Sequence, residues 1–157
     1  LDVELPDGSS GYREIVRHHG GAGVVALDDG GCVCLVRQYR VAIGRMTLEI
    51  PAGKLEPGEA GASCAARELV EETGLIAGRL EPLVCVLGSP GFTDEHTEVF
   101  LARDLDQGDA SPDEDELVEC VWVPLGDAVE AAFRGLIQDG KTVSGVLAAN
   151  ALLASGR

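Results

Sequence analysis

Residues 53–75 read GKLEPGEAGASCAARELVEETGL. Glu59, Glu68, Glu71 and Glu72 fall in or against one short helical stretch, where like charges repel and cost stability. Helix geometry makes the crowding specific. Glu68 and Glu72 stand four apart and Glu71 follows Glu68 by three, so all three project from one side, while Glu59 approaches from the preceding loop. Hard oxygens at that density suit Mg²⁺ or Mn²⁺, which take carboxylates, carbonyls, waters and substrate phosphates as ligands. Arg67, four residues before Glu71, is placed to steady that carboxylate by an ion pair. Ala62, Ala65, Ala66, Leu69 and Val70 leave the other faces small and apolar, able to press on a sheet. Spacing alone also fits a solvated acidic face that needs no ion.

The whole segment resembles the Nudix box, the signature of the Nudix hydrolase family. That pattern is Gly, five residues, Glu, seven residues, then Arg-Glu-U-x-Glu-Glu-x-Gly-U, where U is bulky and aliphatic. Gly53, Glu59, Arg67, Glu68, Leu69, Glu71, Glu72, Gly74 and Leu75 fill every defined position. Its fixed identities would coincide by accident in on the order of one chain in ten million or fewer, which weighs against the bare acidic face. The resemblance implies a hydrolase of nucleoside diphosphates linked to another moiety, working with Mg²⁺ or Mn²⁺. It also implies Glu68 and Glu72 as principal metal ligands and as catalytic residues, with Glu71 and Glu59 assisting. The carbonyl of Ala52, just before the box, is a further ligand in related enzymes.

Features outside the box narrow the substrate. VRQYR, residues 36–40, resembles a segment common in the ADP-ribose pyrophosphatase branch, and Arg40, with Arg37 as a second candidate, can grip a diphosphate through planar, charge-assisted hydrogen bonds. Ion pairing with acidic neighbours is the competing role for both. SPGFTDE, residues 89–95, puts Pro90 fifteen residues past Leu75, where a proline marks the same branch. Pro90-Gly91 can stiffen a loop and let its backbone approach a ligand, although Pro-Gly also makes plain turns. The opening segment resembles one that dimeric members exchange between subunits. Tyr12 stacking on adenine and Arg17 reaching phosphate in the partner's site is therefore an expectation, beside core packing for Tyr12 and solvation for Arg17. The general base of this branch comes from a mobile loop. Glu116 in the acidic run 113–116 aligns best and Glu114 is second, with a solvated acidic loop as the alternative. ADP-ribose would then yield AMP and ribose 5-phosphate. The alternatives are another nucleoside diphosphate derivative (a nucleotide sugar, NADH or a dinucleoside polyphosphate) and a non-catalytic ADP-ribose sensor.

These residues need a scaffold. Residues 2–18 alternate around the turn-rich PDGSSG and predict a β-hairpin. GAGVVAL and CVCLVRQYR, joined at Asp28-Asp29-Gly30-Gly31, predict two strands buried on both faces. MTLEI predicts a short strand that breaks at Pro51-Ala52-Gly53. A helix over about 60–73 ended by Gly74, strands near 79–87, 97–102 and 117–123, a helix from Pro124 and a last helix over about 141–154 complete the pattern. The fold class is α/β, and the resemblance implies a Nudix-type α/β/α sandwich with a central mixed sheet. Residues 1–18 form the hairpin segment and 19–157 the single catalytic domain.

Bulk properties bound the partners. The formal charge of −15 argues against nucleic acid, which needs clustered cations, and makes metal ions the expected source of positive charge for an anionic nucleotide. The five cysteines form no CxxC pair and read as small buried hydrophobes in a reducing compartment, taken as the cytoplasm. No apolar run approaches a membrane span and no signal peptide opens the chain. The expected state is a homodimer acting on a small nucleotide. Trp122 reads as core, and His18, His19 and His96 as surface or edge residues.

Overall fold

The computed structural model describes residues 1–108 and 119–156. Strands β1 (Asp2–Glu4) and β2 (Ser10–Tyr12) form a separate small hairpin. It is shorter than the predicted 2–18. Its ladder stops where the Arg13 N–H reaches the Leu1 carbonyl, and the chain then docks elsewhere: the Val16 N–H donates to the Phe92 carbonyl, and the His18 N–H and Arg17 guanidinium both donate to Asp94.

The main sheet follows. It contains β3 (Gly21–Leu27), β4 (Cys32–Arg40), β5 (Arg45–Glu49), β6 (Ala52–Lys54), β7 (Leu75–Leu87), β8 (His96–Gln107) and β9 (Glu119–Pro124). A 3₁₀ turn at Val41–Ile43 joins β4 to β5, and Gly44 closes it at φ 65°. The strand order is β5-β4-β3-β8-β7, with β6 beside β3 and β9 beside β4. β3 and β8 run parallel and the other pairs antiparallel, so the sheet is mixed as expected.

The two-residue period of the central strands creates two cores. Val25, Leu27, Val33, Leu35, Val99 and Leu101 face one side, packed with Ile137, Val146 and Ala149. Ala22, Val24, Ala26, Cys34, Phe100 and Ala102 face the other, packed with Cys64, Ala65 and Leu69. Helix α1 (Gly61–Thr73) covers the second core; α2 (Leu125–Phe133) and α3 (Gly140–Ala154) cover the first. This is the predicted α/β/α sandwich. Gly74 ends α1 as expected: it adopts φ 73° and its N–H reaches the Val70 carbonyl.

Two other expectations are corrected. Trp122 is not core: it is 43% exposed. β9 pairs only with β4 among the described residues, and its alternation turns Val121 and Val123 inward and Trp122 out. All five cysteines are free, yet only Cys34 and Cys64 are buried, while Cys85 and Cys120 are exposed. Burial pushes the Cys34 thiol up to about 12 and Cys64 to about 11, so the two buried thiols stay protonated and inert. Among the described residues no helix is long and apolar enough to cross a membrane.

Helix α3 lies close on the sheet because Gly145 has no side chain. A Cβ there would come 2.9 Å from Val25 Cγ2 and 3.1 Å from Val99 Cγ1. Gly145→Val is expected to destabilise the chain by about 1–3 kcal/mol through overpacking, read as a lower urea midpoint.

Candidate active site

Helix α1 carries the box glutamates as its spacing requires. No side chain caps its N-terminus at Ala60, but the Glu98 carboxylate from β8 packs over Gly61, putting negative charge at the positive end of the helix dipole. Arg67 sits among the glutamates. Its Nη1 donates to Glu68 Oε1 at 2.7 Å and Glu71 Oε2 at 2.9 Å; its Nε and Nη2 donate to Glu59, each at 3.0 Å. Hydrogen bonds from Arg67 hold the Glu59 carboxyl down at about 2, and the same bonds raise Arg67 well above its usual range. One guanidinium therefore offsets part of the repulsion noted in the sequence.

The loop that faces this helix is fixed from several sides. The Ala52 N–H donates to Glu72 Oε2 at 3.2 Å, and the Val24 N–H holds the Pro51 carbonyl at 2.9 Å. Buried Thr142, on α3, accepts from the Ile50 N–H at 2.9 Å. Asp139 caps α3 by accepting from the N–H and hydroxyl of Thr142. The glycine that opens the box has a direct physical reason: a Cβ on Gly53 would land on the Glu68 carboxylate. Gly53→Ala must push that carboxylate aside, and kcat is expected to fall by about 10²-fold while the melting temperature changes little. Steady-state kinetics beside calorimetry checks this.

Glu68, Glu71 and Glu72 line a cleft of about 480 Å³, together with Ala52, Gly53 and Lys54. Gln38 and Arg40 of β4, Lys141 of α3, and His18, Glu95 and Thr97 line the same cleft. Arg40 is thus brought to the box glutamates, as its segment suggested. Arg37 is not. Three residues away on a strand it faces the opposite side, where it pairs with Glu119 at 3.4 Å. Pro90 and Gly91 are exposed and form the tip of a turn closed by the Phe92 N–H to the Ser89 carbonyl; it is the following Glu95 and Thr97 that reach the cleft. Tyr12 is 65% exposed rather than core, and Arg17 is held by Asp94 at 2.8 Å, outside the cleft of its own chain. Glu59 stays behind Arg67. Glu114 and Glu116 lie outside the described residues.

The sequence reading missed His18, Glu95 and Lys141 on the cleft wall, and Glu49 behind it. His18 and His19 do not share a strand, and His18 is a half-buried cleft residue whose Nδ1 accepts from the Gly20 N–H at 3.0 Å. Glu49, 2% exposed, is the hub behind Arg40. Arg40 grips it with Nε at 2.8 Å and Nη2 at 2.7 Å, Lys141 Nζ reaches it at 2.5 Å and the Thr47 hydroxyl at 2.6 Å. Burial alone would raise the Glu49 carboxyl, but these donors overcome burial and hold it at about 2. A carboxyl lowered on folding stabilises the protein above its unfolded value near 4.5 and loses that contribution as pH falls toward 2. The contribution is roughly 3 kcal/mol. Stability in urea is therefore expected to drop through this window, and Glu49→Gln to flatten that part of the curve.

The donor set fits a divalent ion by its chemistry: three carboxylates and Ala52 line one cleft, all hard oxygen. As the side chains stand, no three His, Cys, Asp or Glu groups among the described residues converge on one point, and Arg67 bonds Glu68 and Glu71.

Residues 17–144 match the NUDIX domain family. The chain belongs to that family. It is 45% identical over 143 residues to the ADP-ribose pyrophosphatase of Bacillus subtilis (strain 168), covering 90% of this chain and 77% of the relative. It is 42% identical to the methanol dehydrogenase activator of Bacillus methanolicus, covering 92% and 80%. It is 39% identical to the ADP-ribose pyrophosphatase of Mycobacterium tuberculosis (strain ATCC 25618 / H37Rv), covering 96% and 74%. A solved structure of an ADP compounds hydrolase superposes with a TM-score of 0.85 over 99% of this chain and 84% of that one; at 24% identity it speaks to the fold.

Proposed function

We propose that the chain hydrolyses the diphosphate bridge of ADP-ribose with a divalent ion, Mg²⁺ or Mn²⁺, giving AMP and ribose 5-phosphate. One observation carries this reading: three glutamates of the Nudix box and the guanidinium of Arg40 share one cleft. The names of two relatives at 45% and 39% identity point to the same substrate. Glu68 and Glu72 would hold the ions, with Glu71 and the Ala52 carbonyl completing the set and Glu59 acting through Arg67. A divalent ion bound there neutralises phosphate charge and lowers the pKa of a bound water.

The chain's own residues do the rest. Arg40, fixed in plane by Glu49, takes diphosphate oxygens with its remaining donors. Arg37 steadies the far side of β4 through Glu119. Pro90 and Gly91 set the turn that delivers Glu95 and Thr97. Glu116, with Glu114 as the second candidate, takes the proton of the attacking water. The free thiols suit a reducing compartment, the cytoplasm in this reading.

The same reading includes a homodimer in which residues 1–18 serve the partner's cleft and 19–157 form the catalytic domain. It is supported by the exposed apolar side chains Leu1, Tyr12, Val16 and Phe92 around the hairpin and its docking turn, exposed by 58%, 65%, 58% and 55%. Tyr12 would then stack on the base and Arg17 leave Asp94 for phosphate. Sedimentation giving a monomer with full activity removes the dimer.

The test of function is a panel with Mg²⁺ or Mn²⁺: ADP-ribose, a nucleotide sugar, NADH and a dinucleoside polyphosphate, with products separated by chromatography. ADP-ribose is expected to show the highest kcat/KM and to yield AMP and ribose 5-phosphate. A higher kcat/KM on another member moves the substrate, and no turnover on any overturns the enzymatic reading.

A further inference from the structure

The chain contains only two lysines, Lys54 and Lys141, against 27 acidic residues, and both line the cleft. Lys54 stands exposed on β6 beside the box glutamates. Lys141 is different. It occupies the first turn of α3, with 16% of its side chain exposed, and its Nζ lies 2.5 Å from Glu49 Oε2 and 3.0 Å from Asp139 Oδ1. An ammonium has three donors and these contacts use two. Glu49 is saturated: Oε1 accepts from Arg40 Nε and Thr47, and Oε2 from Arg40 Nη2 and Lys141. A carboxylate with every acceptor site engaged has nothing left for an ion or a substrate. Its effect is to fasten two cations side by side, each with donors unspent, on the wall of a cleft that binds an anion.

We infer that Lys141 is a second anion contact, which with Arg40 grips the phosphate oxygens of the substrate, and that Glu49 is the positioning residue that holds the pair. The inference rests on the reading of the cleft as a nucleoside diphosphate site and adds to it a substrate-binding residue from the last helix. Pre-fastening matters because a free lysine spends most of its time in other rotamers, and ordering it costs affinity. A charged hydrogen bond contributes enough that losing one weakens binding by about 10- to 100-fold. The contact is made alike to bound substrate and transition state, so its loss appears in KM rather than kcat.

The experiment uses the whole chain with Mg²⁺. Lys141→Gln is expected to raise KM for ADP-ribose about 10- to 100-fold with kcat changed by less than about threefold, and Lys141→Arg to recover most of the loss. A folded Lys141→Gln protein with KM within about twofold of wild type overturns the inference, because a merely structural lysine would move the melting temperature and leave KM alone. A second measurement needs no variant. Acetic anhydride labels amines, and α,β-methylene-ADP-ribose, whose bridge cannot be hydrolysed, is expected to protect Lys141 and leave the N-terminal amine reactive. Equal labelling of Lys141 with and without that probe, while it inhibits turnover, overturns the inference even if Lys141→Gln does not fold. Should wild type ignore ADP-ribose but hydrolyse another diphosphate of the panel, the substrate assignment falls, and the KM of Lys141→Gln on that compound decides the present inference by the same criterion.

Discussion

Glu72→Gln is expected to lower turnover with Mg²⁺ on the order of 10³-fold or more and to leave the fold intact. Glu72 is 5% exposed, and its Oε2 accepts from the Ala52 N–H at 3.2 Å. A glutamine carbonyl can keep that bond, so the loop at 50–53 stays docked. What disappears is a negative charge beside Glu68 and Glu71. Without ions, removing one charge from that crowd relieves repulsion, so the variant should melt no lower than wild type in chelator. Falling activity with unchanged or rising stability is a signature that a structural role for Glu72 does not give. Turnover within tenfold of wild type would take the ligand role away from Glu72. Stopped assays and calorimetry with and without chelator measure both sides.

Glu116→Gln is expected to cost about 10² to 10⁴ in kcat, the span that general-base help provides, with the acid limb of the pH–rate profile lost as well. An amide cannot take a proton from water but keeps the size and polarity of the side chain, so KM should hold. Glu114→Gln serves as the control two residues away. If it carries the loss and Glu116→Gln does not, the base moves to Glu114; if neither does, the base lies elsewhere, and Glu95, which lines the cleft, becomes the residue to substitute.

The architecture was legible because its signals are local. The unbroken apolar runs VVAL and CVCLV foretold burial on both faces, Gly74 foretold the end of α1, and the box spacing foretold which glutamates share a side. Arg40 was legible through its segment, and strand alternation could have separated it from Arg37 at the same stage. Glu49 and Lys141 were not legible in this way. They meet across 92 positions of chain, and each alone looks like an ordinary surface charge flanking an element. The scarcity of lysine was the available signal, since two in so acidic a chain are unlike background. Trp122 misled because an apolar neighbourhood in sequence does not tell an edge strand from a central one. His18 misled because the predicted hairpin ran past its true end, and the departure at Arg13 depends on a turn far down the chain.

The hydroxyl of Thr142 fastens the backbone at Ile50, directly before the loop that carries Ala52 and Gly53. During translation, therefore, residues 38–72 leave the ribosome long before the helix that fastens them, and the loop at 50–53 lacks this anchor until α3 has been made. Frameshifts or proteolytic cuts ahead of Thr142 should silence it as completely as damage to the glutamates themselves.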